Sequence, residues 1–299
     1  MRIRCRYLLA GAIAVGAVYV GTGAAPSIGG EAPASRSGSV EVDGGSLYYE
    51  ESGKGPALVF IHGGFGDRRM WDDQFSTFAR DHRVIRYDHR GYGKSSAPDS
   101  AYSPAADLIR LLDHLGVERA SVVGNSMGAT LALDFTLEHP ERVDRLVIVA
   151  SGPSGFEWPE KDRERMRAVF RAARDQGLSE GVERWLAHPM VAKTIADPDA
   201  GMRLRTMVEE NRNLFLLEHW PVEAMDPPAL SRLSEVRVPT LVVVGDADMA
   251  SVQEAADAAA RGIPGAKKAV IRGADHLPQM LEPDEFNHVL DTFLKDAAH

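Results

Sequence analysis

The stretch Val122-Val123-Gly124-Asn125-Ser126-Met127-Gly128-Ala129 decides how the rest of the sequence is interpreted. It contains Gly-x-Ser-x-Gly, a pattern that a glycine-rich chain can also show by accident. Here an apolar run typical of a strand precedes the pattern, and a segment with helical spacing follows it. A sharp strand-to-helix turn between small residues lifts a serine hydroxyl above the sheet edge, at the N-terminus of the new helix. The pattern predicts a nucleophilic Ser126; the alternative is a glycine-lined turn with an inert serine.

On both sides of this turn, short apolar runs alternate with segments of helical spacing. Such alternation predicts an α/β fold with a mostly parallel, doubly wound sheet and helices on both faces. Residues 153–236 show only helical spacing, so we expect a helical insertion between the two parts of a core, residues 40–152 and 237–299. The predicted strands are residues 40–42, 46–51, 57–61, 83–87, 121–123, 145–150, 241–244 and 268–271, and the predicted core helices are 70–80, 105–115, 127–138, 254–261 and 283–294.

A serine hydroxyl is a weak nucleophile at neutral pH and needs a base. Of the ten histidines, His276 is preferred because it follows the last predicted strand and precedes the terminal helix. His62 and His89, in loops at other strand ends, are the alternatives. Four histidines lie on or beside helical segments, where a surface role is expected: His114, His139, His188 and His219.

The base in turn needs an acceptor that holds it in one tautomer. Asp246 and Asp248 both follow the predicted strand 241–244, and either could reach His276. Asp275 is adjacent to His276 in the chain. Because neighbouring side chains rarely point at each other, we interpret Asp275 as a turn-forming residue.

The order Ser, Asp, His along the chain and several separate motifs resemble the α/β-hydrolase superfamily, from about residue 40 to the C-terminus. One motif is His62-Gly63-Gly64-Phe65-Gly66-Asp67, and another is Tyr87-Asp88-His89-Arg90-Gly91-Tyr92-Gly93-Lys94-Ser95. The resemblance favours Asp248 as the acid. It also implies an oxyanion hole made by the backbone N–H groups of Met127 and of Gly64, with Phe65 as the alternative to Gly64. The second motif is expected to have a structural role.

The same resemblance implies that the helical insertion is a cap over the active site. Apolar cap side chains then line the substrate pocket, and ordinary core packing is the alternative for each. The candidate pocket residues are Phe65, Phe170, Trp185, Met190 and Met207.

Within the superfamily, a serine at the turn argues against epoxide hydrolases and haloalkane dehalogenases, which have aspartate there. Gly-Asn-Ser-Met-Gly is similar to the C–C bond hydrolases, but Leu277 stands where those enzymes usually have tryptophan. His276-Leu277-Pro278 followed by Glu282-Pro283 looks more like carboxylesterases, enol-lactonases and cofactor-free haloperoxidases. We therefore expect hydrolysis of a small-molecule carboxylic ester or lactone, with no cofactor and no metal. The alternatives are C–C bond hydrolysis and a non-catalytic small-ligand receptor.

Composition limits the partners and the location. A net charge of −9 argues against a nucleic-acid partner. Three arginines precede an uncharged, moderately apolar stretch, so residues 1–25 are interpreted as a secretory signal; the alternatives are an uncleaved membrane anchor and a misassigned start. Residues 26–39, rich in Pro, Gly, Ser and Ala, are expected to be a flexible linker. Cys5 is the only cysteine and would be lost with the signal. The sequence predicts an exported protein and leaves its oligomeric state open.

Overall fold

The structure, a computed structural model, describes residues 34–216 and 222–296. The predicted signal, residues 26–33 of the predicted linker, Cys5 and His219 lie outside the described residues. Among the helices that are described, none is long and apolar enough to cross a membrane.

Eight strands form one sheet in the order β1-β2-β4-β3-β5-β6-β7-β8. Strand β2 is antiparallel to both β1 and β4, and all other neighbours are parallel. This arrangement confirms the predicted α/β fold class. The strands are β1 (Ser35–Val42), β2 (Gly45–Ser52), β3 (Ala57–Ile61), β4 (Arg83–Tyr87), β5 (Ala120–Asn125), β6 (Val143–Val149), β7 (Thr240–Gly245) and β8 (Lys267–Ile271).

The central strands are buried on both faces, as expected when helices cover a parallel sheet. Every residue of β5 and of β7 is buried. The α-helices are α1 (Asp72–Phe78), α2 (Pro104–His114), α3 (Met127–Glu138), α4 (Glu160–Gln176), α5 (Leu178–Leu186), α6 (Ala192–Ala196), α7 (Pro198–Glu210), α8 (Ala250–Gly262), α9 (Pro278–Leu281) and α10 (Pro283–Lys295).

Two local predictions need correction. The predicted linker is wrong for residues 35–39, which belong to β1 and pair with β2, with Ser35 opposite Ser52. These residues are polar and mostly exposed on an edge strand, so backbone pairing holds them and no apolar alternation marks them. The predicted helix 70–80 is a 3-10 turn, Arg68–Trp71, followed by the shorter α1.

Helices α4 to α7 lie between β6 and β7, and we refer to the segment 153–236 as the cap. Its described part contains helices and 3-10 turns but no strand, apart from an isolated bridge between Tyr102 and Val222. One buried cap residue, Asn211 at the end of α7, joins the cap to two loops of the sheet. Its amide Nδ2 donates to Asp67 Oδ2 at 3.0 Å, and its Oδ1 accepts from the Gly93 N–H at 2.8 Å.

Removal of this amide is expected to weaken the fold. Asn211→Ala removes one hydrogen-bond partner from the buried Asp67 carboxylate and one from the Gly93 N–H, which should lower the free energy of unfolding by about 1–3 kcal/mol. The matched control is Asn213→Ala, because Asn213 is exposed and makes no hydrogen bond to another described residue. Urea denaturation should show a change of less than about 0.5 kcal/mol for the control. Equal effects of the two substitutions would contradict the role assigned to Asn211.

Candidate active site

The turn between β5 and α3 holds Ser126 in a strained conformation, with φ 53° and ψ −118°. The two glycines of the motif make this turn sterically feasible. A Cβ on Gly124 would lie 2.2 Å from the carbonyl oxygen of Gly128, and one on Gly128 would lie 2.5 Å from the carbonyl oxygens of Ile61 and His62. Any larger residue at either position would force α3 away from the sheet. The Ser126 N–H donates to Val149 O at 2.9 Å, which fixes the turn to β6.

Ser126, His276 and Asp248 form one hydrogen-bonded chain. The distance from Ser126 Oγ to His276 Nε2 is 2.9 Å, and that from His276 Nδ1 to Asp248 Oδ2 is also 2.9 Å. The side chain of His276 is 5% exposed and that of Asp248 is 0% exposed. Since a carboxylate can only accept, the Nδ1 position carries the proton and Nε2 faces the serine as an acceptor. This is the arrangement that a general base requires.

The backbone of His276 is held from two directions. Its N–H donates to Met190 O of the cap at 3.1 Å, and its carbonyl oxygen accepts from Asn125 Nδ2 at 3.1 Å. Asn125 precedes Ser126 in the motif but was not singled out from the sequence, because its contact with residue 276 depends on how the sheet brings two loops together. The imidazole is therefore positioned by the cap as well as by the core.

The other candidate residues have different partners. Asp246 is exposed, and its Oδ1 accepts from the Gly273 N–H at 2.8 Å, so Asp246 stabilises a turn. His62 and His89 are buried and linked to each other: His62 Nε2 accepts from the His89 N–H at 3.0 Å. His62 Nδ1 contacts Gly63 O at 2.7 Å. Neither of these two histidines is hydrogen-bonded to Ser126.

Burial lowers the pKa of all three histidines, and only at His276 do charge and hydrogen bonding outweigh it. Burial lowers the pKa of His62, and it lowers the pKa of His89 to well below its ordinary value. Burial also acts to lower the pKa of His276, but the charge of Asp248 and its hydrogen bond to the ring outweigh that effect. The net result is a raised pKa for His276. The site therefore contains one imidazole whose protonated form is stabilised, as proton transfer from a serine requires.

A cavity of about 230 Å³ opens directly on Ser126 and His276. Four of the five predicted pocket residues line it: Phe65, Phe170, Trp185 and Met190. Met207 is the exception and needs correction: it is buried within the hydrophobic core on α7 and is not among the residues that line this cavity. Helical spacing cannot separate a cap side chain that faces the cavity from one that packs against its neighbours. The other lining residues are Gly64, Met70, Tyr92, Asn125, Met127, Met166, Val191, Leu204 and Leu277.

Backbone N–H groups are available beside the serine. The N–H groups of Gly64 and Met127 make no hydrogen bond to any other residue in the described ranges. The backbone of Phe65, by contrast, is hydrogen-bonded to the Tyr92 hydroxyl, which also lies 3.7 Å from Met127 Sδ. This pattern leaves Gly64 and Met127 free to bind an oxyanion.

Two residues have roles that the sequence did not indicate. Asp275 is 1% exposed, and its carboxylate accepts from the N–H groups of Lys193 and Thr194 at 2.9 and 2.8 Å and from the Thr194 hydroxyl at 2.6 Å. It therefore docks the cap helix α6 beside His276 and is more than a turn-forming residue. His188 is 5% exposed, contrary to the surface role expected for it. The role of Asp275 depends on contacts with cap residues that are distant in sequence.

Within the described residues, no group of three or more His, Cys, Asp or Glu side chains could hold a metal ion.

Comparison with known proteins agrees with the geometry of the site. A sequence profile of the α/β hydrolase fold matches residues 56–283. The chain is 30% identical over 259 residues to RutD of Azorhizobium caulinodans, which is named as a carbamate hydrolase; the alignment covers 82% of this chain and 93% of that protein.

Two further similarities concern other named hydrolases. The chain is 27% identical over 263 residues to 2-hydroxy-6-oxo-6-phenylhexa-2,4-dienoate hydrolase of Comamonas testosteroni, covering 83% of this chain and 91% of that one. Among solved structures, Est816, described as an N-acyl homoserine lactone degrading enzyme, superposes with a TM-score of 0.71 at 29% identity, over 86% of this chain and 100% of that one. The strained serine turn, the sheet order and these similarities together show that the chain belongs to the α/β hydrolase fold family and is a hydrolase.

Proposed function

We propose that this hydrolase cleaves a small-molecule carboxylic ester or lactone through an acyl-enzyme on Ser126. The observation that supports this proposal is the unbroken hydrogen-bonded chain from Ser126 Oγ through His276 to the buried Asp248 carboxylate. A serine held in a left-handed turn, with a positioned base, is the arrangement used for nucleophilic attack on a carbonyl carbon.

The reaction proceeds in two halves. Ser126 Oγ attacks the substrate carbonyl carbon while His276 Nε2 accepts the hydroxyl proton, and the N–H groups of Gly64 and Met127 bind the oxyanion. When the tetrahedral intermediate collapses, His276 returns the proton to the leaving alkoxide oxygen, and the acyl group remains on Ser126. In the second half, His276 deprotonates a water molecule that attacks the acyl carbon. The carboxylic acid then leaves, and the proton returns to Ser126.

The cavity favours a neutral and mostly apolar acyl or alcohol group. None of the described residues that line it is an arginine or a lysine, and most are aromatic or aliphatic. At about 230 Å³ it is smaller than the roughly 300–1,000 Å³ of common ligand pockets. A short acyl chain or a small lactone ring fits such a space. One relative is named for carbamate hydrolysis and one similar solved structure for degradation of a lactone, in agreement with a carbonyl substrate.

The two alternatives are less well supported. A dienoate ring-fission product, the substrate class in the name of the Comamonas relative, carries a carboxylate that needs a cationic partner. The cavity offers no such partner among its described residues, and Leu277 lines it where C–C hydrolases usually have tryptophan. A non-catalytic receptor could keep the same three residues, so only turnover distinguishes it from an enzyme.

Substitution of the nucleophile tests the proposal directly. On a panel of activated esters, lactones, carbamates and vinylogous diketones, the wild type should turn over at least one ester or lactone. Ser126→Ala should lower kcat for it by about 10⁴-fold or more and abolish labelling by a fluorophosphonate. The control Ser76→Ala changes an exposed serine on α1 and should be labelled like the wild type. Retained labelling of Ser126→Ala, or a labelled wild type that turns over none of the panel, would contradict the proposal.

A second pair of variants separates the two candidate acids. Asp248→Asn removes the charge beside His276 and should lower kcat by about 10²–10⁴-fold while the melting temperature stays close to that of the wild type. Asp246→Asn is the matched control, since Asp246 accepts only a turn N–H, and it should change kcat by less than about threefold. Steady-state kinetics and thermal unfolding give both readouts. The reverse result would move the acid role to Asp246.

The pKa of His276 predicts how kcat/KM depends on pH. The base works only when neutral, so kcat/KM should fall as the pH drops through the pKa of His276 in the free enzyme. Because that pKa is raised, the fall should have its midpoint above the ordinary histidine value of about 6.5. In Asp248→Asn the raising charge is lost while burial remains, so the midpoint should move to lower pH. A midpoint that does not move would show that Asp248 does not control the base.

A further inference from the structure

A second cavity, of about 420 Å³, adjoins the one at Ser126. Three side chains, Met166, Phe170 and Met190, line both cavities, so the two cavities are neighbours that share one wall. Methionines make this wall adaptable, since the unbranched side chain changes rotamer readily. The remaining lining residues are Trp158, Asp162, Arg163, Arg167, His188 and Met249.

His188 presents an unused hydrogen-bond donor in this cavity. Its Nδ1 accepts from the Met190 N–H at 3.3 Å, so the proton of the neutral ring is on Nε2. That Nε2 is buried and has no hydrogen-bond partner among the described residues. The ring is fixed by stacking on Trp185, with the centroids 5.4 Å apart and an interplanar angle of 26°. Met190 also accepts from the backbone of His276, which ties this turn to the catalytic loop.

Asp162 presents an unused acceptor in the same cavity. The residue is 8% exposed, and its Oδ1 accepts from Arg165 Nη1 at 2.7 Å. Its Oδ2 is buried without a partner in the part of the chain that the structure describes. Buried polar atoms are nearly always hydrogen-bonded, and each exception in a protein needs an explanation. Here two such atoms of opposite kind, a donor and an acceptor, belong to residues that line the same cavity.

The charges of the cavity identify the kind of group that fits. Burial first, and then the charges of His276 and Arg165, lower the pKa of His188 to about 4, so the ring is neutral at pH 7. A neutral donor beside an aspartate does not favour a carboxylate, and the guanidinium groups of Arg163 and Arg167 do not favour a cation. His188 and Asp162 are not hydrogen-bonded to each other, and a secondary amide has an acceptor for the first and a donor for the second.

We propose that this cavity is a second substrate subsite, which binds a secondary amide of the substrate while the ester or lactone lies at Ser126. The amide oxygen accepts from His188 Nε2–H, and the amide N–H donates to Asp162 Oδ2. This inference rests on the proposed function, because it places the reactive carbonyl at Ser126. It narrows the substrate class to esters or lactones that carry an amide on the acyl or alcohol side.

A matched pair of substrates tests the subsite. The p-nitrophenyl esters of 4-acetamidobutanoate and heptanoate have chains of equal length and differ by the amide. The readout is the ratio of their kcat/KM values, amide over alkyl. His188→Asn keeps an acceptor for the Met190 N–H but removes the Nε2–H, and should lower this ratio by about five- to tenfold.

Two further variants control for structural effects. His188→Gln places an amide N–H where the imidazole Nε2–H was and should keep the ratio within about twofold of the wild type. Asp162→Leu, similar in shape but without an acceptor, should lower the ratio as His188→Asn does. If His188→Asn slows both substrates equally, the residue has only a structural role, and the proposal is overturned.

A binding measurement distinguishes failure of the subsite from failure of the proposed function. Ser126→Ala protein is titrated by calorimetry with the ethyl esters of the same two acids, alone and in combination with His188→Asn. The ratio compared is the Kd of the acetamidobutanoate ester over the Kd of the heptanoate ester. Replacement of His188 should raise this ratio by about five- to tenfold, in favour of the heptanoate ester. An unchanged ratio, or no binding of either ester, overturns the subsite. A changed ratio together with no hydrolysis of any ester or lactone by the wild type supports the subsite and contradicts only the proposed function.

Discussion

The left-handed backbone of Ser126 is the constraint on which the site depends. A non-glycine residue in such a conformation costs about 1–3 kcal/mol and persists only where the surroundings enforce it. Here strand β5 enters the turn, helix α3 leaves it, and the Ser126 N–H is held by Val149 of the neighbouring strand. Gly124 and Gly128 let the helix approach the strands without a collision. The hydroxyl consequently stands at the edge of the sheet, where the loops after β7 and β8 can present an acid and a base to it.

The cap and His276 are held by the same contacts. Asp275 docks α6 through Thr194, while the next residue, His276, donates its N–H to Met190 of the cap. Asn211 attaches the end of α7 to the loop that supplies Gly64 and to the loop that contains Tyr92. Because Asp275, His276 and Asn211 are buried, loss of a partner leaves a buried polar group unsatisfied. The cap is therefore part of the arrangement that positions His276, in addition to forming a wall of the cavity beside Ser126.

Polar residues account for most of what sequence reasoning missed. Residues 35–39 form a strand through backbone pairing with β2 and an ion pair between Arg36 and Glu51, and His188 and Asp162 are buried through packing of the cap. None of these features leaves a periodic apolar signal in the sequence. The misplacement of Met207 has a related cause: an apolar residue on a cap helix can face the cavity or the core, and the helix's rotation about its axis is set by its neighbours.

The sequence by itself determined the α/β architecture, the serine turn and the short set of histidines and aspartates near strand ends. It could do so because buried strands, amphipathic helices and glycine-dependent turns are local features with direct signatures. Only the tertiary structure decided that Asp248, rather than Asp246, is hydrogen-bonded to His276, and that Asp275 binds the cap. Those outcomes depend on the direction of side chains in loops, which is set by contacts between segments far apart in the chain. The cavity walls were decided in the same way, by the docking of α4 to α7 on the sheet edge.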